Sequence, residues 1–146
     1  MITIDKSQIK SITLLSAKKA RALPMWILAN GKWWWLRSPG SNSNDAAFVL
    51  IDGSVICIGC DVNLGSGAVR PALTVENLPN LEIGETVKVL GRIAQYIGND
   101  MVLFAKSIGY HQFDAENNDY EHSEIKAWLE EWLRRRLSGK SGVVQK

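Results

Sequence analysis

The sequence predicts an α+β fold, because it contains both a hairpin of β-strands and an amphipathic helix. Segments 46–51 and 54–59 flank Asp52-Gly53, a dipeptide that favours a type I′ hairpin turn. Near the C-terminus, apolar residues recur at offsets of three and four, which places them on one face of a helix: Ile125, Trp128, Leu129, Trp132, Leu133 and Leu137.

The chain ahead of this hairpin carries signals for a strand, a short helix and a second strand. The apolar residues of 9–14 indicate an extended segment, and Ser16 is a typical N-cap for a helix over 17–23. Pro24 ends that helix, because the residue before a proline is driven out of helical geometry. The apolar run 33–36 predicts a strand that is covered on both faces.

Three further elements follow from turn and strand signals. Residues 38–40, Ser-Pro-Gly, predict a turn after the tryptophan-rich strand. Segment 68–75 indicates a strand that Pro71 places at an edge or a bulge. Segments 87–97 and 101–107 predict a second hairpin.

The C-terminal helix is expected to begin after the N-cap Ser123 and to end before Gly139. From Arg134 onward the chain has five basic residues and no acidic one. Complementarity to the helix dipole and solubility account for this pattern, and contact with nucleic acid or an acidic protein surface is the open alternative.

Length and composition fit one globular domain. The 146 residues are 46% hydrophobic and 22% charged, which excludes a disordered tail and a fibrous repeat. The formal charge of +2 is too small to indicate nucleic-acid binding by itself. No apolar run is long enough to span a bilayer, and the N-terminus lacks the pattern of a signal peptide, so the expected location is the cytoplasm with no membrane partner.

Six tryptophans against three tyrosines are unusual, and four of them lie between residues 26 and 35. An indole face binds sugars and bases. However, Trp33, Trp34 and Trp35 point alternately to two faces of a strand, which favours core packing. The two tryptophans on the helix stripe are assigned to the core as well, so Trp26 is the remaining candidate contact.

The sequence contains no constellation of catalytic residues. Cys57 and Cys60 have CxxC spacing, but no second pair accompanies them, and they are expected to be unpaired thiols. His111 and His122 lack the partners that acid-base catalysis needs. The sequence therefore predicts a protein that is not an enzyme and that has no metal and no cofactor.

Three motifs in the first half carry a family resemblance: WWLRSPG at 34–40, DGSV at 52–55 and VRPAL at 69–73. Together they resemble the signature of an uncharacterised bacterial and prophage domain family with a C-type-lectin-like fold. The resemblance implies a mixed α+β domain with short antiparallel hairpins, a short N-terminal helix and a C-terminal amphipathic helix.

Two later segments, 84–87 and 123–129, are similar to parts that the family places before the tryptophan motif. The resemblance therefore implies one domain in circularly permuted order. It would comprise a tryptophan-motif block over 1–78, a hairpin and helix block over 79–139 and a frayed tail over 140–146. Such a chain closes on itself as a monomer or exchanges elements in a domain-swapped dimer, and the sequence leaves both open.

In C-type-lectin-like domains the loops between framework strands carry the contacts, so the resemblance points to segment 41–67. Arg37 and Arg70 lie in the two most specific motifs, where a guanidinium fork is expected to tie loops together, with ligand contact as the alternative. The candidate contacts with a protein or small ligand are the polar residues of that segment: Asn42, Asn44, Asp45, Asp61 and Asn63.

Two functions are compatible with these features. The first is a non-enzymatic recognition module that binds a partner, most simply a protein, through its loops. The second is an effector encoded by a phage or mobile element that inhibits or sequesters a host defence factor. In that case Arg134, Arg135 and Arg136 are the candidate contacts with an acidic partner, such as a nucleoprotein complex.

Overall fold

Eleven strands in two sheets and three α-helices make up the described part of the chain, residues 1–138 of a computed structural model. The fold is α+β, as the sequence predicts. The helices are α1 (Ala17–Arg21), α2 (Met25–Leu28) and α3 (Glu124–Ser138). In chain order, the strands are β1 (Ile2–Ile4), β2 (Ile9–Thr13), β3 (Trp34–Pro39), β4 (Asp45–Val49), β5 (Val55–Asp61), β6 (Ala68–Val69), β7 (Ala72–Val75), β8 (Thr86–Val89), β9 (Arg92–Gly98), β10 (Met101–Phe104) and β11 (Gly109–Tyr110).

The first sheet has six strands in the order β1-β8-β9-β10-β7-β2. The pairing of β1 with β8 is parallel, and the other four pairings are antiparallel. The second sheet has five strands in the order β11-β6-β3-β4-β5, with β6 parallel to β3. Each sheet combines strands from residues 1–78 with strands from residues 79–139.

The turns differ in detail from the sequence prediction. The β4–β5 hairpin forms where it is expected, but its turn is not type I′: Gly53 has a φ of 95°, Asp52 has a negative φ, and the Gly53 amide donates to the Leu50 carbonyl. Two-residue loops with both φ angles positive occur instead at 90–91 and 99–100. The expected strand 87–97 is therefore two strands, β8 and β9.

The predicted strand 68–75 is divided between the two sheets. Its first half is β6, its second half is β7, and Arg70-Pro71 joins them. Pro71 has no amide hydrogen to offer a neighbouring strand, which suits it to this crossover. The chain at β3 also differs: the strand begins at Trp34 and continues through Pro39, so the chain turns over 40–44 and not at the predicted 38–40.

The predicted cap of the first helix is confirmed, because the Ser16 hydroxyl accepts the Lys19 amide at 3.1 Å. The helix is shorter than predicted and ends at Arg21. A further short helix, α2, follows Pro24 and was not predicted, since four residues are too few to show a helical period.

The core lies on both sides of β3. On one side Trp35 packs with side chains of both sheets and α3, and on the other side Trp34 and Leu36 pack with α1 and α2. Trp34 and Trp35 are fully buried, whereas Trp33 is half-buried at the edge of the first cluster. The alternation of the tryptophans along the strand is the one that the sequence predicts.

Helix α3 packs on the first cluster through four buried residues of its stripe, Ile125, Leu129, Trp132 and Leu133. The Ser123 hydroxyl accepts the Lys126 amide at 3.1 Å, as expected of an N-cap. Trp128 is half-buried and packs against the same cluster, whereas the assignment of Leu137 to the stripe was wrong, because Leu137 is exposed. Gly139 and the tail 140–146 lie outside the described residues. No helix within residues 1–138 is long and apolar enough to cross a membrane.

Candidate functional site

Four of the five polar residues predicted to make contacts come together at one end of the β4–β5 hairpin. Asn42 donates from Nδ2 to Asp45 Oδ2 at 3.0 Å, and Asn44 donates from Nδ2 to Asp61 Oδ1 at 3.1 Å. Asp45 and Asp61 are cross-strand partners. These groups therefore satisfy one another, and Asn63, which follows the strand, is exposed.

The segment 42–45, which we name the polar loop, is hydrogen-bonded to Asn118 in a distant part of the chain. Asn118 Nδ2 donates to the carbonyls of Asn42 (3.0 Å) and Asp45 (2.9 Å), and its backbone amide donates to the Ser43 carbonyl at 2.9 Å. No sequence pattern indicates this residue, because its bonding partners lie more than 70 positions away. The loop is consequently held at three points by one side chain and its amide.

A recess of about 480 Å³ opens beside this fastening. A second recess of about 200 Å³ shares Ser16 and Arg37 with the first and adds Lys19 and Asn99 to the polar lining. The two recesses therefore meet at Arg37. The residues that line the larger one are Ser16, Arg37, Ser38, Pro39, Asn118, Asp119, Tyr120 and Glu121.

Arg37 stands exposed between the two recesses. It lies two residues beyond the buried Trp35, in the part of β3 where the register against β4 shifts. Its backbone amide donates to the Leu15 carbonyl at 2.8 Å, but its guanidinium makes no hydrogen bond and no ion pair with residues 1–138. The expectation that Arg37 ties loops together is therefore corrected, because its guanidinium reaches no carboxylate and no carbonyl of residues 1–138.

The other charged groups of the larger recess have partners. Asp119 Oδ2 lies 2.8 Å from His122 Nδ1, and Glu121 lies 3.9 Å from the ammonium group of Lys126. The buried Tyr120 anchors the segment, because its hydroxyl lies 3.4 Å from the Thr13 hydroxyl in β2 and 3.3 Å from the Leu14 amide. The wall of the recess is thus fixed to β2.

Arg70 lies in the opposite environment from Arg37. Only 1% of its surface is exposed, and its guanidinium donates to the carbonyls of Phe104 (2.6 Å) and Leu28 (3.2 Å) and to Gln95 Oε1 (3.2 Å). It also lies over the Trp34 ring, 4.9 Å from the centroid. Burial lowers its pKa to about 10. The side chain connects the crossover between the sheets to α2, β9 and β10.

The tryptophans offer little open ring surface. The ring nitrogens of Trp34 and Trp35 donate to the carbonyls of Leu28 (3.0 Å) and His111 (2.9 Å). Trp33 contacts Trp35 and Phe48 edge to face. Trp26 is the exception: it is 63% exposed, and its ring lies against Gly84.

The three arginines at the end of α3 are not equally available. Glu131 accepts hydrogen bonds from both Arg134 (2.5 Å) and Arg135 (2.8 Å), and these bonds hold the pKa of its carboxyl down to about 2. Arg136 lies over the Trp132 ring, 4.4 Å from the centroid. Two of the three arginines therefore share one carboxylate within the helix, which leaves a net positive charge there.

The thiols and histidines do not form a reactive centre in the described chain. Cys57 is exposed and accepts a hydrogen bond from Arg21 at 2.6 Å, and burial raises the pKa of Cys60 to about 11. The His111 ring lies against Trp128. No three potential metal ligands among His, Cys, Asp and Glu of residues 1–138 converge on one point.

Comparison with known proteins gives one match. A family described as Domain of unknown function (DUF6273) matches residues 2–77, which include β1–β7 and the Arg37 and Arg70 motifs. No curated protein and no solved structure matches the chain.

Proposed function

The chain belongs to the DUF6273 family of domains of unknown function, and we propose from its geometry that it is a non-enzymatic recognition module. In this proposal a protein partner binds at the recess beside Arg37. The observation that carries it is the exposed guanidinium, which has no partner in residues 1–138 although it borders two recesses. An arginine in this state can donate two parallel hydrogen bonds to a carboxylate.

The walls of the recess support binding because they are fixed before a partner arrives. Asn118 fastens the wall to the polar loop at three points, and Tyr120 holds it to β2. A prearranged surface loses little conformational entropy on association, which leaves more of the interaction energy for affinity. The polar loop residues would then act as supports of the site, and Asn63 would be a contact at its margin.

The open shape of the recess favours a macromolecule over a small molecule. Small-molecule sites are usually enclosed, whereas this recess is open to solvent and has Arg37, Ser38, Asn118 and Glu121 at its border. We therefore propose an acidic side chain or a C-terminal carboxylate of a partner protein as the group that Arg37 binds. Glu121, at the border of the same recess, would reject a partner with a second negative charge at that position.

The C-type-lectin-like fold and the permuted order of its two blocks are also part of this proposal. Their support is the motif resemblance, together with the mixing of strands from both blocks in each sheet. We also propose a cytoplasmic location, on the N-terminal sequence pattern, and a phage or mobile-element origin, on the motif resemblance.

Affinity capture with quantitative mass spectrometry tests the function. Arg37→Gln should lose the captured protein and keep the melting temperature of the wild type, because the guanidinium makes no internal bond in residues 1–138. Arg134→Gln is the matched control, an exposed arginine on α3 that should leave capture intact. Capture that survives Arg37→Gln and fails with Arg134→Gln would overturn the proposal.

A further inference from the structure

A second surface, which we name the basic strip, lies where β9, β10 and β11 approach α3. Three recesses lie along it, of about 210, 320 and 350 Å³. Lys106 lines the first two, and Arg92 and Arg136 both lie over the Trp132 ring, which lines the third. The five cations that define the strip are Lys32, Arg92, Lys106, Arg135 and Arg136.

The charge of the strip is almost entirely positive. Glu131 is the only carboxylate that lines these three recesses within residues 1–138, and it already accepts hydrogen bonds from Arg134 and Arg135. Lys88, the cross-strand neighbour of Ile93, adds another exposed cation beside the first recess. A row of cations with one saturated carboxylate attracts an anionic partner and repels a basic one.

The first recess of the basic strip also has an apolar surface. It is lined by Ile93, which is 40% exposed, and Ala105, between the cations Arg92 and Lys106. An apolar side chain from a partner would bury surface there while its flanking carboxylates contact the cations. We propose that the basic strip binds an acidic protein segment that carries one apolar residue, and that this residue enters the recess at Ile93.

The aromatic residues of the strip argue against single-stranded nucleic acid. Such partners stack successive bases on open aromatic faces. Here Trp132 is only 7% exposed with two guanidinium groups over its ring, and the Trp128 ring lies against His111. Tyr110 is exposed, but Lys32 lies over its ring. One exposed ring does not provide a platform for successive bases.

The test measures binding of defined probes to the full-length protein by fluorescence anisotropy. The first probe is a labelled peptide of alternating Asp and Glu with a central Leu, the second has Ser in place of Leu, and the third is a poly-dT oligonucleotide. The strip variant is Arg92→Glu/Lys106→Glu. Its matched control, Lys6→Glu/Lys18→Glu, makes the same charge change at exposed lysines that line none of the three recesses.

The Leu peptide should bind the wild type more tightly than the Ser peptide and more tightly than poly-dT. The strip variant should weaken the Leu peptide about tenfold or more, because two attractions become repulsions, and the control should change it less than about twofold. Ile93→Gln should remove the preference for Leu over Ser without changing the charge. Circular dichroism verifies that each variant is folded.

Three results would overturn the inference. They are equal weakening by the strip variant and its control, equal binding of the Leu and Ser peptides, and tighter binding of poly-dT than of the Leu peptide. The inference does not depend on the recess at Arg37, since no residue of the basic strip lines that recess. Failure of one proposal is therefore distinguishable from failure of the other.

Discussion

Arg37 and Arg70 belong to two motifs of the same family signature, yet they occupy opposite environments. Arg70 is buried at the crossover between the sheets, with three hydrogen-bond acceptors around its guanidinium and Trp34 beneath it. Arg37 is exposed beside a recess and has no such partner in residues 1–138. An arginine within a motif is therefore not a structural arginine by default. Its hydrogen-bond partners distinguish a role in folding from a role in contact.

The polar loop and the recess also differ in whether their polar groups already have hydrogen-bond partners. Asn42, Asn44, Asp45 and Asp61 are polar and surface-located, but each bonds to another member of the set. Being exposed does not make a polar group available to a partner, because an existing hydrogen bond must first be broken. The contact with a partner is therefore expected at the recess beside Arg37, and the loop supports that recess.

The largest effect is expected at Arg70. Arg70→Met keeps a long side chain but leaves the Phe104 and Leu28 carbonyls without these donors and removes the contact with Trp34. The free energy of unfolding should fall by about 2 kcal/mol or more, measured by urea denaturation. Arg37→Met is the control and should change it by less than about 0.5 kcal/mol. An equal loss of unfolding free energy in the two variants would show that the two arginines do not differ in their structural role.

An intermediate effect is expected at Asn118. Asn118→Ala removes two hydrogen bonds to carbonyls of the polar loop, and urea denaturation should report a loss of about 1 kcal/mol. Partner capture should weaken as well, since the wall of the recess is then less fixed. Asn63→Ala, at an exposed site, is expected to leave stability unchanged. If the two variants have the same stability, Asn118 does not fasten the loop.

The smallest stability effect is expected at Cys60, where burial raises the pKa from its ordinary value of 9.0 to about 11. The thiolate then forms first in the unfolded chain, so the free energy of unfolding should fall as the pH rises from about 9 to about 11. Because the thiol is only partly buried, solvent screening should keep this loss below about 1 kcal/mol. Cys60→Ala should flatten that part of the pH profile relative to Cys57→Ala, and identical profiles would contradict the assignment.

Local signals predicted much of the fold. The period of α3, the caps Ser16 and Ser123 and the β4–β5 hairpin all depend on residues close in sequence. The alternating tryptophans predicted a strand covered on both faces for the same reason. The division of segment 68–75 between two sheets had only Pro71 as a local sign.

The candidate site was harder to predict, because it is made by contacts between distant segments. Asn118 and the loop it fastens are separated by more than 70 residues, and no periodicity reports such a contact. The availability of Arg37 was hidden for a related reason. Both arginines lie close before a proline, in Arg37-Ser38-Pro39 and in Arg70-Pro71. Whether the guanidinium finds hydrogen-bond acceptors depends on segments that are distant in sequence.

The most direct test of this account is hydrogen exchange at the Nε–H groups of the two arginines, observed by ¹⁵N NMR. Spectra of Arg37→Met and Arg70→Met assign the two signals. The Arg70 Nε–H donates to the Phe104 carbonyl in the core and should persist after transfer to D₂O. The Arg37 Nε–H should exchange immediately. Protection at Arg37, or rapid exchange at Arg70, would contradict the division between a structural and a contact arginine.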